Sequence, residues 1–273
     1  MIKLKSYAKI NLALEVKDII DGYHQVNNIM VPIDLYDELT FEKSDKIELI
    51  NNEIENNIIL KAANLIINKY NINSGVKINI NKKIPIAAGL AGGSSNAATT
   101  LIGINKLYDL NLSINELKSL AEELGSDVPF FINNKLAYCY NRGEKIKELN
   151  IDYNKINILL IIPNINIENK TRMVYSNYVY NGISKEYKIN NVIEALKTNN
   201  LELLENNIFN DLTEAALKTN NELNNIYNEL RKNYDVHLSG AGSAMFIVNP
   251  NEKEVEKLKE INKNVIYIKT SIF

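Results

Sequence analysis

The stretch Ile84–Asn96, IPIAAGLAGGSSN, decides how this chain is read. It carries a proline, three glycines and two adjacent serines. An alternating strand is expected before it, over Gly75–Asn81, and a helix after it, over Ser95–Tyr108. Small residues let backbone N–H groups approach a ligand closely, and a helix N-terminus adds partial positive charge and unsatisfied donors. The junction therefore suits a phosphate. It is not the common nucleotide loop, because GxxxxGK[ST] is absent, and GLAGGSS does not match the spacing of GxGxxG. Hydroxyls at Ser94 and Ser95 can cap the helix, bind phosphate oxygens or ligate a metal.

Three further blocks stand around this loop. Ala8-Lys9-Ile10-Asn11-Leu12, followed by Asp21-Gly22-Tyr23-His24, precedes it; Gly125-Ser-Asp127-Val-Pro-Phe-Phe131 and Leu238-Ser-Gly240-Ala-Gly242-Ser243 follow. Taken singly each has an ordinary explanation. Lys9 reads as a lysine at a sheet edge, Asp127 as a helix N-cap, His24 as a polar loop tip and Tyr175 as a core position of an amphipathic helix. Arg142-Gly-Glu144 reads as a hairpin end. Together, in this order, the four blocks resemble the GHMP superfamily of small-molecule kinases, from about residue 4 to about residue 248. The AKINL and DGYH pair is the narrower signal, similar to the branch that acts on diphosphocytidyl-linked methylerythritol.

The resemblance implies an α+β chain of two lobes, residues 1–152 and 153–273, with the ligand cleft between them. It implies ATP and Mg²⁺, a small-molecule acceptor (a cytidine diphosphate-linked methylerythritol phosphorylated on its 2-hydroxyl), and no nucleic-acid or membrane partner. Pro85, Ala87, Ala88, Gly89, Leu90, Ala91, Gly92, Gly93, Ser94 and Ser95 would then hold the ATP phosphates, with Ser95 touching Mg²⁺. Lys9 and Asp127 would converge on the acceptor hydroxyl, supported by Asn11. Tyr23 and His24 would bind cytosine, Tyr175 would face it as a second ring, and Thr171 would reach the erythritol or phosphate part. Gly240 and Gly242 would close a turn over the substrate phosphates. Ala87, Ala88 and Ala91 stand where relatives often carry glycine. Because alanine resists positive φ, they are expected in ordinary backbone regions if the loop holds a nucleotide.

Composition agrees with a soluble enzyme. The 273 residues are enough for one large or two modest domains, and 45% hydrophobic with 23% charged residues is ordinary for a globular chain. A formal net charge of −2 argues against a protein built to hold a nucleic-acid backbone. The N-terminus lacks the apolar core of a signal peptide, and the longest apolar run, Ile158–Pro163, is far too short to span a bilayer, so a cytoplasmic location is expected. One cysteine, Cys139, excludes an internal disulfide. With only His24 and His237, no His/Cys metal cluster can be assembled, and no GxSxG elbow supports a hydrolase.

Periodicity supplies the remaining elements. Strands are expected over Ile2–Tyr7, Ile10–Lys17, Ile29–Ile33, Glu38–Glu42 and Lys46–Asn51, and a helix over Ile58–Tyr70. Ser113-Ile-Asn-Glu116 is a capping-box pattern opening a helix that Gly125 stops. Strands at Leu136–Tyr140 and Lys145–Leu149 close the first half, and Lys155–Ile162 opens the second. Helices are expected over Thr171–Tyr178, Val192–Thr198, Leu201–Ile208 and, as one long element, Leu212–Lys232. A strand at Val236–Leu238, the SGAGS turn, a strand at Ala244–Val248, a helix at Glu252–Ile261 and a strand at Val265–Lys269 finish the chain. Two rivals remain: another GHMP kinase of the homoserine or mevalonate type, which gives Tyr23 and His24 no task, and a noncatalytic nucleotide-binding protein, which gives Lys9 and Asp127 none.

Overall fold

The computed structural model describes residues 1–51, 57–165, 167–261 and 265–273. Its elements begin with a long hairpin, β1 (Ile2–Ile20) and β2 (Tyr23–Ser44), then β3 (Glu48–Ile50), α1 (Ile58–Lys69) and β4 (Gly75–Asn81). Next come α2 (Gly92–Leu107), α3 (Ile114–Leu124), α4 (Phe130–Asn133), β5 (Ala137–Asn141), β6 (Lys145–Glu148) and β7 (Ile156–Pro163). The last part holds α5 (Lys170–Ser176), α6 (Glu186–Thr198), α7 (Leu201–Asn207), β8 (Phe209–Asn210), α8 (Thr213–Thr219) and α9 (Asn221–Arg231). It ends with β9 (His237–Leu238), β10 (Met245–Val248), α10 (Glu252–Ile261) and β11 (Val265–Ile272).

The strands form one mixed sheet in the order β3-β4-β2-β11-β7-β10-β9, with β1 on β2, and β5 joining β2 to β6. Two strand pairings join the halves: β11 pairs with β2 at Ile272 and Ile33, and β8 pairs with β1 at Ala13 and Phe209. Side chains from both halves, including Ile10, Ile33, Leu160, Val192 and Phe246, form one core cluster at that seam. A second cluster lies under α1, α2 and α3, and a third under α8, α9 and α10. The cleft thus opens over a seam that is continuous sheet and packed core.

The fold class is as expected, and several element bounds are not. The four strands anticipated at the start merge into β1 and β2, whose pairing slips between Tyr7 and Ala8 and between Asn11 and Ala13. β1 is buried without a break from Ala8 to Val16, so both of its faces are covered, and the polar side chains Lys9, Asn11 and Glu15 are buried with the apolar ones. Asp21 and Gly22 both take positive φ, 52° and 80°, as a two-residue hairpin turn requires. The single helix expected over Leu212–Lys232 is two, because Asn220 is extended and caps α9 by accepting from the Leu223 N–H. α6 starts earlier than Val192, at Glu186, and α2 starts at Gly92 instead of Ser95.

Candidate functional site

A cavity of about 1780 Å³ runs along the seam. That exceeds the 300–1,000 Å³ of a pocket for one drug-sized ligand, so two small substrates can occupy it together. Of the residues singled out from the sequence, all except Ser95 line this cavity.

The glycine loop forms one wall. The positive φ values at Ala87 (55°), Gly89 (84°) and Ala91 (53°) alternate with negative ones. This corrects the expectation that the alanines keep to ordinary regions: two of the three do not. Alternation of this kind turns successive N–H groups toward one concave side, an anion-binding arrangement. The carbonyls are occupied elsewhere. Ala87 O accepts from Lys170 Nζ and Ala88 O from the Ala244 N–H (2.8 Å). Gly89 O accepts from Ser239 Oγ (3.1 Å) and Lys9 Nζ (3.3 Å), Leu90 O from the Lys9 N–H (3.2 Å), and Ala91 O from the Ser95 N–H (3.0 Å). With every carbonyl from Ala87 to Ala91 taken, the amides are the face left for a ligand. α2 adds its own first-turn N–H groups, since its N-cap, Ala91, has no side-chain cap.

Ser95 is buried behind the loop, where its hydroxyl accepts from Ser6 Oγ at 2.7 Å. α2 begins three residues early, so the serines sit within its first turns and neither is the cap. Ser94 borders the cleft. The placement of Ser95 does not suit the metal contact expected of it. Behind it lies a network that sequence reading missed. The buried Asp37 carboxylate accepts from the backbone N–H groups of Lys83 (2.7 Å) and Ile84 (2.8 Å), from Lys82 Nζ (2.6 Å) and from Asn96 Nδ2 (2.9 Å). Asp37 thus fastens the entry of the loop to the helix that follows it.

The second glycine turn closes directly on the first. A Cβ at Gly89 would lie 2.4 Å from Ser239 O and 2.6 Å from Gly242 O, so only glycine allows that approach. A Cβ at Gly240 would lie 3.4 Å from Lys9 Nζ. Asn210, also missed, steadies this turn by donating to Leu238 O (2.9 Å) and Gly240 O (2.7 Å).

Lys9 projects from β1 and is only 4% exposed. Its ammonium donates to Asn11 Oδ1 at 2.8 Å, and Asn11 is oriented by donating its amide to Asn28 Oδ1 at 2.9 Å. Burial pulls the Lys9 pKa below the usual lysine value, and the Asp127 charge opposes that shift. Asp127 is half-buried on the cleft wall just before α4, whose N-cap is Pro129; Asp127 is not a cap. The Asp127 carboxylate and the buried Lys9 ammonium thus line the same cleft, beside the glycine loop.

The far end is aromatic. His24 Nδ1 lies 2.8 Å from Lys17 O; a carbonyl only accepts, so Nδ1 carries the proton and Nε2 of the neutral ring is an acceptor. The Tyr175 ring lies 5.7 Å from His24 and the Tyr178 ring 5.6 Å, with Tyr178 anchored by its hydroxyl to Val16 O at 2.6 Å. Tyr23, 58% exposed, carries the Arg142 guanidinium 4.9 Å from its ring centre. Tyr175 is therefore both a core-packing side chain and a ring at the cleft, and its ring partner is His24. Thr171 is exposed at the cleft rim.

Comparison with known proteins gives this geometry a family. The model for the N-terminal domain of GHMP kinases matches residues 57–135, and that for the C-terminal domain matches residues 192–267. A 4-diphosphocytidyl-2-C-methyl-D-erythritol kinase from Clostridium perfringens is 39% identical over 255 residues, covering 90% of this chain and 88% of the relative. The chain belongs to the 4-diphosphocytidyl-2-C-methyl-D-erythritol kinase family of GHMP kinases. The crystal structure of a 4-(cytidine 5'-diphospho)-2C-methyl-D-erythritol kinase superposes with a TM-score of 0.83 at 27% identity, each chain covered in full. A homoserine kinase from Cytophaga hutchinsonii superposes at a TM-score of 0.69 with 15% identity over 99% of this chain and 95% of that one, a likeness of fold alone. The protein is a small-molecule kinase, and kinases of this family use ATP. Among the described residues, no helix is long and apolar enough to cross a membrane, and no group of three or more His, Cys, Asp or Glu side chains could hold a metal.

Proposed function

We propose that the cleft transfers the γ-phosphoryl group of ATP to the 2-hydroxyl of 4-diphosphocytidyl-2-C-methyl-D-erythritol. The observation that carries this reading is the wiring of Lys9. One ammonium reaches the carbonyl side of the phosphate loop through Gly89 O and lies within the electrostatic reach of Asp127. Phosphoryl transfer asks chiefly for positioning and charge stabilisation. Asp127 accepts the proton of the acceptor hydroxyl as its oxygen bonds to the γ-phosphorus and the bond to the departing ADP breaks. Lys9 stabilises the negative charge that develops on that oxygen, and Asn11 holds Lys9 in place.

Mg²⁺ belongs to the same reading. An ion that keeps several waters and binds phosphate oxygens needs only one or two protein oxygens, and the Ser94 hydroxyl at the cleft wall fits that donor set. When bound, it neutralises charge on the phosphates. The base is chosen at the aromatic end. An acceptor nitrogen at His24 Nε2 pairs with the exocyclic amino group of cytosine and opposes the carbonyl that uracil presents there. The cytosine ring stacks between the aromatic side chains around His24. We read residues 1–152 and 153–273 as the two lobes, the first carrying the phosphate loop and the reacting pair. The cytoplasm is the proposed location.

The deciding experiment offers ATP with the cytidylylated acceptor, methylerythritol 4-phosphate, homoserine and mevalonate, and identifies products by mass spectrometry. Phosphorylation confined to the cytidylylated acceptor is expected. Equal kcat/KM for cytidylylated and bare acceptors would reject the cytidine site. No ATP-dependent product from any acceptor would leave the noncatalytic alternative.

A further inference from the structure

The Lys170 side chain enters the cleft from the start of α5 and is 8% exposed, yet among the described residues no acidic group pairs with its ammonium. Its two partners are main-chain carbonyls: Ala87 O at the head of the phosphate loop and Gly242 O in the second glycine turn. A buried cation satisfied by two carbonyl dipoles is costly to keep unless its charge has a further use. An ammonium has three protons, and two are taken.

The Ala87 contact fixes a peptide plane. In a trans peptide the C=O and the following N–H point in opposite directions, so drawing Ala87 O toward Lys170 turns the Ala88 N–H the other way. Ala87 itself sits at φ 55°, a left-handed conformation that the alanine Cβ resists. Something must hold it there, and Lys170 donates to its carbonyl. The same ammonium bridges to the turn that packs on Gly89, so one side chain links both glycine turns.

We infer that Lys170 is a positioning residue for the nucleotide phosphates, which sets the head of the glycine loop, locks it to the Ser239–Gly242 turn and adds positive charge beside the phosphate wall. This rests on the reading of that wall as the ATP site. Burial pushes the Lys170 ammonium down to about 8, with no neighbouring charge contributing. The other charged groups on this cleft are Lys9 and Asp18 on β1, Lys82 before the loop, Asp127 before α4, Arg142 between β5 and β6 and Arg172 on α5 itself. Of these, Lys9 is the other cation that touches loop carbonyls.

The test is ADP affinity as a function of pH, by calorimetry. In the unaltered protein the affinity falls about tenfold or more as pH rises through 8 toward 9.5, because the cationic form of Lys170 is lost. Lys170→Met lowers ADP affinity at pH 7 by at least tenfold and abolishes the alkaline fall, while KM for the alcohol acceptor stays within about threefold. Lys9→Met keeps the alkaline fall. A merely structural role would lower stability without selecting ADP or removing the pH dependence. Flat ADP affinity between pH 7 and 9.5 in the unaltered protein overturns the inference even if the methionine variant fails to fold. Unchanged affinity in folded Lys170→Met does so as well. Failure of the unaltered protein to bind ADP at any pH would instead reject the ATP site itself.

Discussion

Gly93→Ala should move stability and nucleotide affinity in opposite directions. Gly93 is exposed in the first turn of α2, and a Cβ placed there would find Ile58 Cγ2 at 3.8 Å as its nearest neighbour. The protein itself has room for the methyl group. Glycine in a helix is less favourable than alanine by up to about 1 kcal/mol, so the substitution should raise Tm by roughly 1–3 °C. The reason to keep glycine is then the ligand. A phosphate drawn against the first-turn N–H groups meets the new methyl and gives up one charge-assisted hydrogen bond, about 1.5–3 kcal/mol. That corresponds to roughly a 10- to 150-fold loss in affinity. Differential scanning fluorimetry reads the first effect and calorimetric titration with ADP the second. A raised Tm with unchanged ADP affinity would mean that no phosphate approaches this turn, and the loop would lose its assigned task.

Other substitutions test the remaining parts of the site. Asp127→Asn should lower turnover by roughly 10²- to 10⁴-fold with ADP affinity nearly intact, and Lys9→Ala combined with it should add far less than its separate effect; near-normal single-turnover rates in Asp127→Asn would refute the proton-acceptor role. Replacing cytosine by uracil in the acceptor should reduce kcat/KM by about tenfold or more, and His24→Ala should erase much of that preference; equal use of both bases by the unaltered enzyme would reject the Nε2 contact. Tyr175→Ala should lower kcat/KM for the cytidylylated acceptor by roughly 5- to 150-fold, the size of one lost base stack, with ADP binding unaffected. Ser113→Ala, remote from the cleft, removes the capping box of α3 and should lower stability by about 1 kcal/mol without touching either substrate.

The legible parts of the chain were those with a local cause. The capping box at Ser113 and Glu116 and the apolar face of α1 each need only neighbouring residues, and each appears as expected. The failures come from tertiary context. Periodicity carries the apolar face from α8 into α9, and only the Asn220 cap divides them. The residues missed at the site, Asp37, Asn210 and Lys170, touch partners 28 to 83 positions away in the chain, and no spacing rule connects such pairs. Ser95 failed for a related reason: with α2 beginning at Gly92, its hydroxyl points back to Ser6 on β1.

The alanines of the loop show why composition alone misjudged it. Positive φ at Ala87 and Ala91 costs about 1–2 kcal/mol each, which taken alone argues against a nucleotide loop in this conformation. That cost is local, whereas the contacts that offset it are not. Lys170 on α5 holds the Ala87 carbonyl, the Ala244 N–H holds Ala88, and the Lys9 side chain and N–H hold Gly89 and Leu90. These donors come from β1, α5 and the turn before β10, which fold onto the loop, so the surrounding structure over-determines its backbone, and strain of this size persists under those conditions. A glycine at the same position would reach the conformation without strain but would also leave it more readily. Alanine held in place from outside therefore gives amides whose direction is set before the phosphate arrives.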